Sequence, residues 1–115
     1  MGWPNPPSPD RHLEILKAAS HVELAIDDDS RRVIGFVYAI SDGILCAYIP
    51  LLEVLPEYRK QGIGRELVRR LIERLSGYYM IDLICDDGLR PFYEKLKMTA
   101  RIGMVIRNYN RQAGI

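Results

Sequence analysis

The apolar positions of this 115-residue chain change period along its length. Leu13, Leu16 and Ala19 share one face of a helical period, so a short helix is expected from Asp10 to about Ser20, with Ser8 or Asp10 as its cap. From Val22 to Asp27 apolar and polar residues alternate, the period of a half-buried strand. Asp27-Asp28-Asp29-Ser30 is turn chemistry, and Val33 to Ile40 is a second, strongly apolar strand interrupted by Gly35. Ser41-Asp42-Gly43 predicts a hairpin turn of the Asp-Gly type. Ile44 to Val54 then reads as a long third strand. Pro50 lies inside it and has no amide to donate, so the strand must be irregular, bulged or locally unpaired there.

The clearest element follows. Ile63, Leu67, Val68, Leu71, Ile72 and Leu75 recur at the helical period, while Arg65, Glu66, Arg69, Arg70, Glu73 and Arg74 occupy the other side. Gly77 ends this helix, and Tyr78 to Cys85 reads as a strand. Asp86-Asp87 offers N-cap groups to a helix from Gly88 to Lys95, where Pro91 falls in the tolerant first turn. Met98 to Tyr109 predicts a last strand. The order is short α, β, β, β, α, β, α, β. Two strands joined by a helix of this length imply a right-handed parallel crossover. Three meandering strands ahead of it imply an α+β domain whose mixed sheet is mostly antiparallel. Residues 1–9 are Pro-rich and read as an extended lead-in to one domain over residues 10–115.

Composition narrows the chemistry. With 48% hydrophobic residues the chain can bury one core and has little material for a second. Its net charge of +1 gives no global pull toward nucleic acid or an anionic membrane, so neither is expected as a partner. No apolar stretch approaches the ~20 residues of a membrane span, and the start lacks a secretory apolar region, which predicts a cytoplasmic protein. Cys46 and Cys85 lie in predicted strands without metal-type spacing and read as buried free thiols. The three adjacent acids at 27–29 lack the alternating spacing of a calcium loop, so no metal is expected.

Against this neutral background, one segment concentrates chemistry. Between Val54 and Arg65 an apolar strand ends at Pro56, a loop carries Arg59, Lys60, Gln61, Gly62 and Gly64, and the long helix opens directly behind. The first amides of a helix lack intrahelical acceptors, and the macrodipole puts partial positive charge there. Glycines let a ligand approach the backbone, so this is the architecture of a phosphate cradle. The spacing matches neither a Walker loop nor G-x-G-x-x-G, since Leu67 stands where the third glycine would be. What remains is R-x-x-G-x-G, formed by Arg59, Gly62 and Gly64 after Val54 and Pro56.

This segment resembles the acyl-CoA loop of the GNAT superfamily of N-acetyltransferases, whose signature is [QR]-x-x-G-x-[GA] after a V-x-P strand end. Pro91-Phe92-Tyr93-Glu94-Lys95-Leu96-Lys97-Met98 is similar to the same superfamily's F-Y-x-x-x-G-F block. It departs from that block where Lys97 replaces the helix-ending Gly and Met98 replaces Phe. The resemblance covers about Val22 to Tyr109. It implies a GNAT fold lacking the usual first strand and helix, and acetyl-CoA as cosubstrate without a metal. The family's bulged strand, which splays to admit the pantetheine arm, corresponds to the stretch holding Pro50.

The resemblance also implies site residues. Leu52, Val54, Arg59, Lys60, Gln61, Gly62, Ile63, Gly64 and Arg65 would hold the cofactor. Tyr93 would protonate the departing sulfur, although its spacing with Leu89, Phe92 and Leu96 is equally that of a core aromatic. Glu53 is the only acid in the strand ahead of the loop and so the nominal general base, with Tyr48 and Asp82 as weaker choices. The implied activity is acetyl transfer from acetyl-CoA to a small-molecule or peptide amine. The alternative is a noncatalytic acyl-CoA-binding or regulatory module of the same fold. A sheet missing its first strand exposes an edge, from which a homodimer is expected.

Overall fold

The computed structural model describes residues 6–115 of the chain, so the Pro-rich start expected over residues 1–9 lies partly outside the described residues. Helix α1 (Pro9–Ala18) starts because Ser8 Oγ accepts the Arg11 amide at 3.2 Å and Pro9 occupies the first turn, where its missing amide costs nothing. Strands β1 (His21–Ile26) and β2 (Val33–Ser41) form an antiparallel pair. Their turn is held by Asp27, whose Oδ1 accepts the Asp29 amide at 2.9 Å. The next turn is held by Asp42. Its Oδ1 accepts the amides of Ile44, Leu45 and Cys46, and these bonds hold its carboxyl down at about 2.

The expected third strand is two strands. β3 (Cys46–Ile49) pairs antiparallel with the far end of β2 and parallel with β5 (Met80–Leu83). β4 (Leu52–Val54) pairs antiparallel with the start of β2. The break falls at Pro50 and Leu51, as a missing ladder donor requires. At this point β3 leaves with β5 while β4 stays with β2, and the sheet splays open. The sheet order is β1-β2-β3-β5, with β4 alongside β2.

Helix α2 (Ile63–Arg74) closes one face of the sheet. Its apolar stripe supplies Leu67, Val68 and Leu71, followed by Leu75, which pack against Val37, Ala39, Ala47 and Ile49. Burying a leucine of this kind contributes about 1.5–3 kcal/mol, so this cluster is what seats the helix. Its polar face is tied by Glu66, which accepts from both Arg69 and Arg70 and is held down at about 2 by them. Arg74 reaches back to the Val22 carbonyl and to Glu23 of β1.

The last part of the chain departs from expectation. The helix foreseen from Gly88 to Lys95 is a 3₁₀ turn at Asp87–Leu89 leading into α3 (Arg90–Glu94). Asp86 caps that turn through its carbonyl, which accepts the Leu89 amide at 2.9 Å, and its carboxylate makes no capping bond. Cys46 and Cys85 are free thiols, as expected, but half-buried. The strand foreseen from Met98 to Tyr109 is absent: residues 98–108 have no regular structure, and a 3₁₀ turn follows at Tyr109–Arg111. A strand exists only by pairing its backbone. Among the described residues, no backbone hydrogen bond joins residues 99–107 to another strand.

The end of α3 answers the question raised by Lys97. Lys97 takes the left-handed conformation with φ +70° that the family's Gly would take. The Met98 amide donates to the Tyr93 carbonyl at 3.2 Å and the Lys97 amide to the Glu94 carbonyl at 2.9 Å, the paired bonds of a Schellman cap. The cap therefore forms at the cost of a Cβ in a crowded region. Lys97→Gly should raise stability by about 0.5–1 kcal/mol and the thermal midpoint by a few degrees, roughly 2–4 °C. Calorimetry checks it, and an unchanged or lower midpoint would show that Lys97 bears no strain.

Candidate active site

Among the described residues, the splay between β3 and β4 leaves one edge of β4 unpaired, on the side of the cavity that Phe92 and Tyr93 of α3 line. The Leu55 amide donates to Ile34 and Glu53 sits opposite Phe36. The alternation of an antiparallel ladder then turns the backbone groups of Leu52 and Val54 toward the open edge. The Val54 carbonyl confirms that direction, since it accepts Arg59 Nε at 3.0 Å.

Beyond β4, a 3₁₀ turn at Pro56–Tyr58 leads into the loop. Two of its residues are left-handed, Lys60 at φ +64° and Gly62 at φ +83°. Gly62 is the N-cap of α2 and makes no side-chain cap, so the first amides of that helix are not satisfied by a neighbouring side chain at this position. A Cβ at Gly62 would meet nothing within 4 Å, so it is the backbone conformation, not space, that calls for glycine. Gly64 is the second residue of α2, its face toward Leu52, Val54 and Phe92.

These pieces enclose a cavity of about 640 Å³ between the β4 edge, the loop, the start of α2 and α3. Of the residues singled out from the sequence, Leu52, Glu53, Val54, Arg59, Lys60, Gly62, Ile63, Gly64, Arg65 and Tyr93 line it. Gln61 does not; it is exposed beside the loop. A second cavity of about 320 Å³ opens on the other side of the splay, beside Pro50, Leu51, Cys85, Asp86 and Arg107. Leu52, Leu89 and Tyr93 line both, so Tyr93 stands at the junction. Of the weaker base choices, Tyr48 borders the second cavity, and Asp82 borders neither.

Tyr93 is half-buried, its ring edge-on to Phe92 at 4.9 Å between centroids. Loss of water around it, and then the nearby Cys85, raise its phenol above the ordinary 10. The phenol therefore keeps its proton across the neutral range, where it can serve as a proton donor but not as a phenolate base.

Two features escaped the sequence reading. The first is Tyr58, whose hydroxyl donates to Asp27 Oδ2 and ties the β1–β2 turn to the loop. That bond is the main reason Asp27 titrates below its usual range, aided by the Asp29 amide. The partners are far apart in sequence, and an acidic turn alone gives no hint of it. The second is Arg107, which lines the second cavity although the sequence pattern places its segment in a sheet strand.

The loop amides, the three cations at its rim and the open strand edge suit a long ligand with a phosphate at one end and amides along its arm. Among the described residues, no group of His, Cys, Asp and Glu is placed to hold a metal, and no helix is long and apolar enough to cross a membrane.

Known proteins place this geometry. A candidate acetyltransferase from Deinococcus radiodurans R1, whose crystal structure is known, is 51% identical; it matches 99% of this chain and 79% of its own with a TM-score of 0.93. A GNAT family acetyltransferase of Streptococcus pneumoniae TIGR4, 24% identical with a TM-score of 0.74 over 89% of this chain and 81% of its own, shares the fold. GCN5-related N-acetyltransferase 3, chloroplastic, of Arabidopsis thaliana is 37% identical over 65 residues, 55% of this chain. The chain spans only 27% of that curated relative's length. The model of the acetyltransferase (GNAT) family matches residues 1–98, and the chain belongs to that family.

Proposed function

We propose that this chain binds acetyl-CoA in the larger cavity and transfers its acetyl group to a primary amine that enters from the smaller one, by direct attack on the thioester. The observation that carries the reading is that the two cavities share Leu52, Leu89 and Tyr93 in their linings, with a phosphate-type loop beside the larger one only. Membership of the GNAT family supports acyl-CoA-dependent acetyl transfer in general. When bound, acetyl-CoA supplies an activated acyl carbonyl and a sulfur leaving group.

The chain's own residues divide the remaining work. Amides around Gly62 and at the start of α2, with Arg59, Lys60 and Arg65, hold the pyrophosphate. The open edge at Leu52 and Val54 pairs with the pantetheine amides, which requires Arg59 to release the Val54 carbonyl it now holds. A backbone amide of the same edge donates to the acyl oxygen as charge develops there. Tyr93 donates its proton to the departing sulfur. Glu53, which lines the larger cavity and not the smaller one, is the nominal base, taking a proton through water from the acceptor ammonium so that the free amine attacks. The acceptor is a small-molecule or peptide amine, and the protein works in the cytoplasm without a metal.

Thiol release from acetyl-CoA, followed across a panel of primary amines, tests the reading. Amine-dependent release at a rate well above solvent hydrolysis is the expected result. Acetyl-CoA binding without release for any amine would overturn the enzymatic reading in favour of a noncatalytic acyl-CoA-binding module.

A further inference from the structure

Two side chains, Tyr58 and Arg59, fasten the start of the cradle loop to neighbouring elements. The backbone bonds there stay local: the Tyr58 amide donates to the Leu55 carbonyl at 2.9 Å and the Arg59 amide to the Pro56 carbonyl at 3.3 Å. Directly behind them Lys60 holds φ +64°, a conformation that a residue with a Cβ keeps when its surroundings impose it. Arg59 Nε donates to the Val54 carbonyl, and the Tyr58 hydroxyl donates to Asp27 Oδ2.

A ligand in the larger cavity treats these two bonds differently. A pantetheine arm paired along β4 takes the Val54 carbonyl, so Arg59 lets go. Asp27 lines neither cavity, so the ligand does not compete for its carboxylate. The Tyr58 bond is therefore the fastening that outlasts binding. Its acceptor is set in place beforehand. Asp27 Oδ1 accepts the amides of Asp29 at 2.9 Å and Ser30 at 3.5 Å, its own amide donates to the Arg32 carbonyl at 2.9 Å, and its carbonyl accepts the Arg31 amide at 2.8 Å. A carboxylate that accepts from a phenol makes a charge-assisted bond, about twice as strong as a neutral one. Both partners titrate as that bond requires: it is the leading cause that lowers Asp27 and the leading cause that raises Tyr58. Tyr58 itself lines the larger cavity, so the bond joins a wall of that cavity to the β1–β2 turn.

We propose that Asp27 and Tyr58 are positioning residues for the cofactor: their bond keeps the loop in its binding conformation while Arg59 leaves Val54, so the β1–β2 turn sets acetyl-CoA affinity without touching the ligand. This rests on the larger cavity being the acetyl-CoA site. A loop held ready binds more tightly because less conformational freedom is lost on binding.

Isothermal titration with acetyl-CoA, paired with thiol release at saturating acetyl-CoA, tests the proposal. Tyr58→Phe should weaken binding at least ~5-fold and leave kcat nearly unchanged. Asp27→Ala should weaken it as much, although it removes a negative charge and would otherwise favour an anion. The double variant should lose no more than the worse single one, since both remove the same bond. Asp27→Asn keeps the shape and a polar atom opposite the hydroxyl, and should bind within about 2-fold of wild type. Should Asp27→Ala fail to fold, Tyr58→Phe and Asp27→Asn still decide the matter. Wild-type affinity in folded Tyr58→Phe would overturn the proposal and leave the cofactor site standing. Weak binding by Tyr58→Phe with full affinity in Asp27→Ala would also overturn it, since the hydroxyl would then meet the cofactor directly. A wild-type chain that does not bind acetyl-CoA would remove the cofactor reading and this proposal together.

Discussion

Gly62→Asp should reduce acetyl-CoA affinity at least ~100-fold in a protein that still folds. The two halves of this expectation rest on different observations. Folding survives because no atom lies within 4 Å of a Cβ at this position, so nothing is displaced. The φ of +83° costs a side-chain-bearing residue about 1 kcal/mol, and Asp is among the residues that tolerate it best. A carboxylate beside the N-terminus of α2 is also favoured by the helix dipole, which offsets part of that cost. Binding fails for the same reason. The amides that would meet the pyrophosphate already face an anion, and a like charge in the cradle costs several kcal/mol. Isothermal titration with acetyl-CoA measures it. Gly62→Ala is the control, carrying the backbone strain without the charge, and should lose far less. Unchanged affinity in a folded Gly62→Asp protein would remove the pyrophosphate from this loop.

The loop could be read from the sequence because its determinants are local. A proline ends the strand, a glycine supplies a left-handed residue and the apolar period of Ile63 to Leu75 starts a helix, all within one short stretch. The break at Pro50 was legible for the same reason. What followed from it was not, because the exchange of partners between β3 and β4 depends on where β2 and β5 lie. The Tyr58–Asp27 bond joins a loop and a turn 31 residues apart, beyond the reach of any spacing argument. The strand expected from Met98 onward failed on pairing, not on pattern. Its alternation is genuine, but alternation states which side chains share a face and says nothing of a neighbouring backbone. Lys97 is the reverse case. The sequence showed a residue unsuited to a left-handed cap, and the pull of two carbonyl bonds at the end of α3 outweighed that preference.

Tyr93→Phe should lower turnover at least ~10-fold while acetyl-CoA affinity stays nearly constant. Phenylalanine fills the same space, so the edge-on packing against Phe92 and the shared wall of the two cavities remain. Only the hydroxyl is lost. If that hydroxyl meets the sulfur as negative charge accumulates, its removal costs transition-state stabilisation and little ground-state binding, which separates kcat from affinity. The pH profile distinguishes this from a packing effect. Desolvation raises the Tyr93 phenol above 10, so the donor form survives to higher pH than an exposed tyrosine would allow. Wild-type activity should climb as the acceptor amine loses its proton and fall only where Tyr93 ionises, above 10. The variant should keep the rise and lose the fall. Thiol-release kinetics across that range, with acetyl-CoA saturating, give both quantities. Full turnover in Tyr93→Phe, with the alkaline fall intact, would reduce Tyr93 to a packing residue of α3 and leave the sulfur to water.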